Sequence, residues 1–343
     1  MTSSLYRVAI VGAAGLKGRE LKEVLSDRNF PALDIRLLDD DESLGQLETV
    51  GEEATFIQSV RPDQFHGIDF TFFASDGEFT RRHWREATNA GSAVVDLSYG
   101  LEAEQNVPVR APWVERELGE ARVPGFGPDA VVAAHPAAVT LALLLLRLRK
   151  LSVTERVIAT LFEPVSERGR RGMDELHEQT VNLLSFHEMP KKVFDAQVAF
   201  NMLSQYGESA GTTLKTVEER IGRHFRQITR EQLPVPSLVL LHSPIFHAHL
   251  FSVYIELPRD VSLGECAQAL SGDHVAVMPE GAEAPNNVNV AGEEQIAISL
   301  RADAQRKNAF WIWAAADNLK LAALNAVDCA AALALTRSHG SVQ

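Results

Sequence analysis

The stretch RVAIVGAAGLKGRE, Arg7 to Glu20, decides the fold of the N-terminal half. Arg7 to Val11 is a short apolar run, glycines follow at 12, 15 and 18, and a helical pattern then puts Leu21, Val24 and Leu25 on one face. This is a strand, a glycine turn and a helix. Bare backbone in such a turn can approach a pyrophosphate, and the helix start supplies N–H donors and the positive end of a dipole. The competing reading is a tight turn packed for structural reasons alone.

Working outward, Asp34 to Leu38 (DIRLL), Asp69 to Ala74 (DFTFFA) and Ala93 to Leu97 (AVVDL) repeat the buried-strand pattern, with a helical stretch at Phe79 to Ala90. Alternating strands and helices imply a Rossmann-type doubly wound parallel sheet. Glu102 to Asp129, rich in Pro, Gly and charge, is expected to be a long loop region closing this domain. Beyond it the grammar changes. Strands are expected at Arg156 to Leu161, Ser237 to His242, Leu250 to Leu257, Gln295 to Leu300 and Phe310 to Ala314, with helices near Gly172 to Leu184 and Thr213 to His224. Strands without regular intervening helices indicate a C-terminal α+β domain with a largely antiparallel sheet. The Ala- and Leu-rich stretch Asn318 to Leu335 should be one helix. The expected division is 1–134 with 318–343 as a nucleotide-binding domain and 135–317 as a substrate and dimerisation domain.

A chain of 343 residues is too long for one ordinary core, which agrees with two domains. Its formal charge of −13 repels phosphate backbones and anionic lipid, so neither nucleic acid nor membrane is expected as the main partner. A nucleotide would need a local device. Cys266 and Cys329 stand far apart in no metal-type spacing, which suggests a reducing compartment. The longest apolar run, Val139 to Leu146, is well short of the roughly 20 residues that span a bilayer. A cytoplasmic protein is expected.

Nucleotide choice falls at the end of the second strand, where Leu38 is followed by Asp39, Asp40, Asp41 and Glu42. A 2′-phosphate there would meet carboxylates, each like-charge pair at about 4 Å costing roughly 1 to 4 kcal/mol. Asp39 can instead accept hydrogen bonds from ribose hydroxyls. NAD is therefore expected in preference to NADP. Even if the acidic run is only a solvated loop, NADP stays disfavoured. Gly12, Ala14, Gly15, Leu16, Gly18 and Asp39, with Ser75 and Asn325, are the expected cofactor-binding positions.

Together, VGAAGLKGRE, the run around His135-Pro136, GMDELHEQT (Gly172 to Thr180), AFNML (Ala199 to Leu203) and ADNLKLAALNAV (Ala316 to Val327) resemble the aspartate-semialdehyde dehydrogenase family over nearly the whole chain. The resemblance implies a Rossmann domain, a second domain carrying substrate and dimer contacts, and a homodimer. It also implies a thiolate nucleophile, a proton-shuttling histidine, a glutamine beside the cysteine, and basic groups for carboxylate and phosphate. Where the family reads Asn-Pro-x-Cys-Ser/Thr-Thr, this chain reads His135-Pro136-Ala137-Ala138-Val139-Thr140, so the nucleophile position is Ala138. The glutamine matches Glu163, and the histidine is kept as His249. The substrate arginine falls on His242 and the phosphate-site arginine on Leu101. Of the Glu-x-x-Lys motif, Thr212 replaces the glutamate and Lys215 remains, the one substrate-binding position carried over. The family's NADP-holding serine and arginine fall on Asp40 and Glu42.

Three functions follow as expectations: a relative that binds NAD, dimerises and is inactive in the thiolate-dependent reaction; an NAD-dependent oxidoreductase on a small carbonyl, with His249 or Glu163 handling the proton and no covalent intermediate; or a non-catalytic dimeric interaction partner. His242, His247 and His249 make a tempting metal cluster, but no acidic or thiol partner lies near them in sequence, and no metal is expected. Lys17 is read as solvated or touching a phosphate, Arg168, Arg170 and Arg171 as a solvated face in preference to an anion-binding cluster, Trp311 and Trp313 as sheet packing, and both cysteines as small buried hydrophobes.

Overall fold

A computed structural model describes residues 5–28, 30–50, 53–119 and 129–335. The chain divides into two compact units, Met1–Ala134 with Ala322–Gln343, and His135–Leu321.

The first unit runs β1 (Tyr6–Val11), α1 (Leu16–Asp27), β2 (Ala32–Asp39), β3 (Leu47–Val50), β4 (Glu53–Phe56), β5 (Gln58–Ser59), β6 (Phe70–Phe73), α2 (Gly77–Asn89), β7 (Ala93–Asp96), β8 (Val109–Arg110), α3 (Pro112–Glu117) and β9 (Ala130–Ala133). Seven strands form one sheet in the order β5-β2-β1-β6-β7-β9-β8, and every pairing in it is parallel. All residues of β6, β7 and β9 are buried, the unbroken apolar reading of strands covered on both faces. The chain leaves β1 for β2 on one side and reaches β6 on the other. The end of β1 is therefore a topological switch point, where open parallel sheets bind ligands. α2 starts cleanly because Asp76 accepts from the N–H groups of Glu78 (2.8 Å) and Phe79 (2.9 Å). β3 and β4 form a separate antiparallel hairpin that the alternating pattern did not announce. Of the loop expected at Glu102 to Asp129, residues 120–128 lie outside the described residues; the part before them holds β8 and α3.

The second unit runs α4 (Pro136–Leu151), β10 (Arg156–Glu163), α5 (Gly169–Leu184), α6 (Leu214–Ile228), β11 (Ser237–His242), β12 (His249–Glu256), α7 (Leu263–Leu270), β13 (Val275–Val277), β14 (Ile296–Ala302) and β15 (Ala309–Ala316), into the start of α8 (Asn318–Ala334). Its sheet has six strands in the order β11-β10-β12-β15-β14-β13. The three central pairings are antiparallel and the two outer ones parallel. β12 alternates buried and half-buried positions along most of its length, the period of a strand with one core face. α4 is different. Its residues from Pro136 to Leu148 are all buried, so it shows no helical stripe and is held between α6 and α7. Pro136 at its first position and Arg149 and Lys150 in its last turn suit the two ends of its dipole.

Candidate active site

In the first unit the glycine turn occupies the switch point. Gly12 has φ +86°, and a Cβ there would stand 2.5 Å from Ser75 N. A Cβ on Gly18 would stand 2.2 Å from Gly12 O, whereas one on Gly15 would meet nothing nearer than that same oxygen at 3.4 Å. Gly12 and Gly18 therefore close the turn, and Gly15 keeps its outer side bare. Leu16 and Gly18 precede the first helical hydrogen bond, Arg19 N to Gly15 O (3.0 Å), so their N–H groups are not used within α1. Asp39, at the end of β2, accepts from Ala14 N (2.8 Å) and Asp40 N (2.9 Å). A carboxylate has about four acceptor positions, so both oxygens keep capacity for ribose hydroxyls. Burial raises its carboxyl above the usual aspartate range.

Other expected positions have local work. Lys17 donates to Leu97 O (3.2 Å) and lies over the Tyr99 ring. Leu101 is buried, its N–H bonded to Asp96 Oδ2 (2.9 Å). Ser75 Oγ reaches Thr80 Oγ1 (3.3 Å). Asn325 Nδ2 donates to Arg110 O (3.2 Å) and Ala134 O (3.4 Å). The arrangement fits a dinucleotide through bare turn backbone and an acidic strand end.

In the second unit, three strand ends meet at one edge of the sheet. Glu163, the last residue of β10, stands in register with His242, the last of β11, and antiparallel β12 begins beside them at His249. A 3-10 turn, Val165–Arg168, follows β10 and turns Arg168 back. Arg168 Nη2 donates to Glu163 Oε1 (2.6 Å). Tyr206 donates to the same oxygen (3.3 Å), which leaves the phenol oxygen to accept from Nδ1 of His242 at 3.2 Å. Phe194 packs on both rings. Burial pushes the Glu163 carboxyl up to about 7, against the opposing charge of Arg168. Burial, with Arg168 adding to it, pushes His242 down to about 4, so it is neutral at pH 7. Burial and the Glu163 charge push the Tyr206 phenol above its ordinary range.

The GMDELHEQT stretch holds this wall in place. Glu175 accepts from Val193 N (2.6 Å) and Phe194 N (3.2 Å). Gln179, one turn on, bonds Val198 N, Ala199 N, Pro190 O and Ala196 O.

Beside this cluster lie His249, Glu167 and His135. His249 Nε2 is 3.8 Å from Glu167 Oε1, which accepts from Asn318 Nδ2 (2.7 Å). Asn318 Oδ1 in turn accepts from Ser166 Oγ and from Ala248 N, where Ala248 has φ +75°, a left-handed conformation costly for alanine. His135 caps α4, its Nδ1 accepting from Ala137 N (3.2 Å), and Ala138 follows in the first turn, fully buried.

One expectation needs correction. Arg168 is not on a solvated face but in a buried ion pair, its side chain 13% exposed. His135, Glu167 and His249, brought together from three segments, each offer one possible ligand atom within 4.8 Å of the others. Glu167, Tyr206 and His135 were missed because their neighbours are brought in from distant segments; a buried-looking Tyr or His carries no local signal. Lys215 sits exposed in the first turn of α6. Cys266 and Cys329 are buried free thiols; burial raises both, Cys266 to about 11 and Cys329 further.

A parallel dinucleotide-type unit followed by an α+β unit is the architecture of two-domain dehydrogenases. Residues 7–121 match the semialdehyde dehydrogenase NAD-binding domain and residues 145–321 the semialdehyde dehydrogenase dimerisation domain. The chain belongs to the semialdehyde dehydrogenase family. An aspartate-semialdehyde dehydrogenase of Rickettsia conorii is 30% identical over 336 residues, 95% of this chain and 96% of that one. A USG-1 protein homolog of Pseudomonas aeruginosa is 30% identical over 330 residues, again 95% and 96% of the two chains. The solved structure of a probable aspartate-semialdehyde dehydrogenase from Pseudomonas aeruginosa has a TM-score of 0.84 at 27% identity, covering 97% of this chain and 99% of that one. These matches bring a nicotinamide-nucleotide domain and support a homodimer. Among the described residues no helix is long and apolar enough to cross a membrane.

Proposed function

We propose that this protein is a nicotinamide-nucleotide-binding, dimeric member of the family that does not run the thiolate-dependent phosphorylating reaction. One observation carries the reading: the first turn of α4 presents Ala138, and the two thiols of the chain, Cys266 and Cys329, are buried in α7 and α8 with raised pKa values. A thiolate nucleophile needs a lowered pKa and access. Neither cysteine has them. Loss of a nucleophile from a concerted site costs roughly 10⁶-fold in rate. In this reading Asp39 recognises ribose hydroxyls and, with Asp40 and Glu42, favours NAD over NADP. Purified protein supplied with aspartate semialdehyde, phosphate and either nucleotide should show no turnover beyond background; turnover near that of a cysteine-bearing relative refutes the proposal.

A second reading is favoured by Glu163, whose carboxyl titrates near neutrality and so can give or take a proton at working pH. Bound nicotinamide supplies hydride transfer; Glu163 or His249 would then exchange the proton with a carbonyl or alcohol, and no covalent intermediate is needed. A screen of small aldehydes, keto acids and hydroxy acids that follows NADH absorbance separates the two readings. Turnover by wild type that is lost in Glu163→Gln or His249→Ala selects the second.

A further inference from the structure

We infer that His135, Glu167 and His249 form a binding site for one first-row divalent cation, with zinc the best fit. One potential ligand atom from each residue lies within 4.8 Å of the others. Zinc ligands bonded at about 2.0 to 2.2 Å in a tetrahedron stand roughly 3.3 to 3.5 Å apart. His249 Nε2 and Glu167 Oε1, at 3.8 Å, are already close to that spacing. The donor set is two imidazoles and one carboxylate, which suits zinc and its neighbours rather than magnesium or calcium. Three protein ligands leave a fourth position for water or a carbonyl oxygen, the pattern of catalytic rather than structural zinc.

The surroundings are built as a metal site requires. Both rings are 1% exposed. Glu167 is oriented by Asn318, itself fixed by Ser166 and Ala248, and outer partners of this kind hold ligands in position. His135 is fixed at its backbone, where its N–H donates to His224 Nδ1 (3.0 Å). Its ring now caps α4 through Nδ1 at 3.2 Å, and ligation through either nitrogen gives up that hydrogen bond, because a neutral ring bound through Nε2 carries its proton on Nδ1. Ala138, adjacent in the same turn, adds only a methyl group.

The test uses the full chain, stripped with chelator and titrated with Co²⁺ and Zn²⁺. The expected result is one Co²⁺ per chain with the visible absorption of a four- or five-coordinate ion, displaced by one equivalent of Zn²⁺, and a Tm that rises with zinc. His135→Asn keeps a good helix cap while removing the imidazole; it should fold, weaken binding at least tenfold and abolish the Tm rise. Glu167→Gln should also weaken binding about tenfold. Absence of stoichiometric binding by wild type, or binding unchanged in folded His135→Asn, overturns the inference.

Discussion

Arg168 and Glu163 form a buried ion pair at 2.6 Å in which the carboxylate is wholly shielded from solvent. Such a pair is no evidence of extra stability by itself, because desolvation offsets the Coulomb attraction. Removing one partner is another matter. Arg168→Gln removes the charge that holds the Glu163 pKa down, so the carboxyl takes up a proton at pH 8, and the loss there should exceed that at pH 5 by roughly 1 to 2 kcal/mol. At pH 5 the carboxyl is protonated and the loss should shrink. Urea unfolding at both pH values checks this; an equal loss at each would refute the coupling.

The same carboxyl makes stability depend on pH. Its native pKa is raised from 4.5 to about 7, so between those values the folded state binds the extra proton. The contribution is therefore fully present below pH 4.5 and is lost as pH rises through about 7. Glu163→Gln should flatten this stretch of the stability curve, with thermal melts at several pH values as the measurement. A slope unchanged by the substitution would place the titration elsewhere.

The glycine turn was legible because its signal is local: strand, turn and helix lie within one short stretch, and backbone geometry is dictated by Gly12 and Gly18 themselves. The parallel sheet followed from the same logic. α4 left no period to read, since a helix buried from Pro136 to Leu148 has no polar face. The acid–base clusters were hidden for a different reason. Glu167 and Arg168 share a 3-10 turn whose direction depends on backbone bonds from Val165 to Ile245 and Ser166 to Phe246, which no local pattern announces. His249 could be named from family resemblance, but its partners come from α4 and from the turn after β10, and only the folded sheet edge brings them together.

Gly18→Ala and Gly15→Ala should separate folding from binding. The methyl at 18 would stand 2.2 Å from the Gly12 carbonyl, an overlap that backbone must move to relieve, so a loss of about 1 to 3 kcal/mol in stability is expected. At 15 the nearest atom is 3.4 Å away and φ is ordinary, so stability should hold within about 1 kcal/mol. If the bare side of the turn receives a pyrophosphate, Gly15→Ala should instead weaken nucleotide binding about tenfold by calorimetry. Unchanged affinity in that variant would remove the turn from the binding site.

Nucleotide preference should respond to the strand end. Asp39→Ser with Glu42→Arg takes away two carboxylates and adds a guanidinium able to pair with a phosphate. NAD affinity should fall about tenfold, corresponding to roughly 1.4 kcal/mol, while NADP affinity rises. Asp39 also accepts from Ala14 N, so Asp39→Asn, which keeps an acceptor there, serves as the control for turn geometry. Wild type that binds NADP as tightly as NAD would refute the charge argument at its base.

On the proposed reading, Ala138→Cys tests whether a thiol at this position is enough for phosphorylating chemistry. The position lies in the first turn of α4, beside the His135 cap, where the helix N-terminus lowers a thiol pKa while full burial raises it. Adding one sulfur to a packed site should cost about 1 to 3 kcal/mol and leave the fold intact. Glu163 stands where the resemblance puts a glutamine beside the cysteine, and its charge above pH 7 would oppose a developing oxyanion; the position where the family's substrate arginine is expected holds neutral His242. Turnover of aspartate semialdehyde with phosphate should therefore remain at least a thousandfold below a cysteine-bearing relative, about 4 kcal/mol in barrier, even where iodoacetamide confirms a reactive thiol. Adding Glu163→Gln and His242→Arg to Ala138→Cys should then raise the rate; full activity from Ala138→Cys alone would show that the surrounding site had kept its original chemistry.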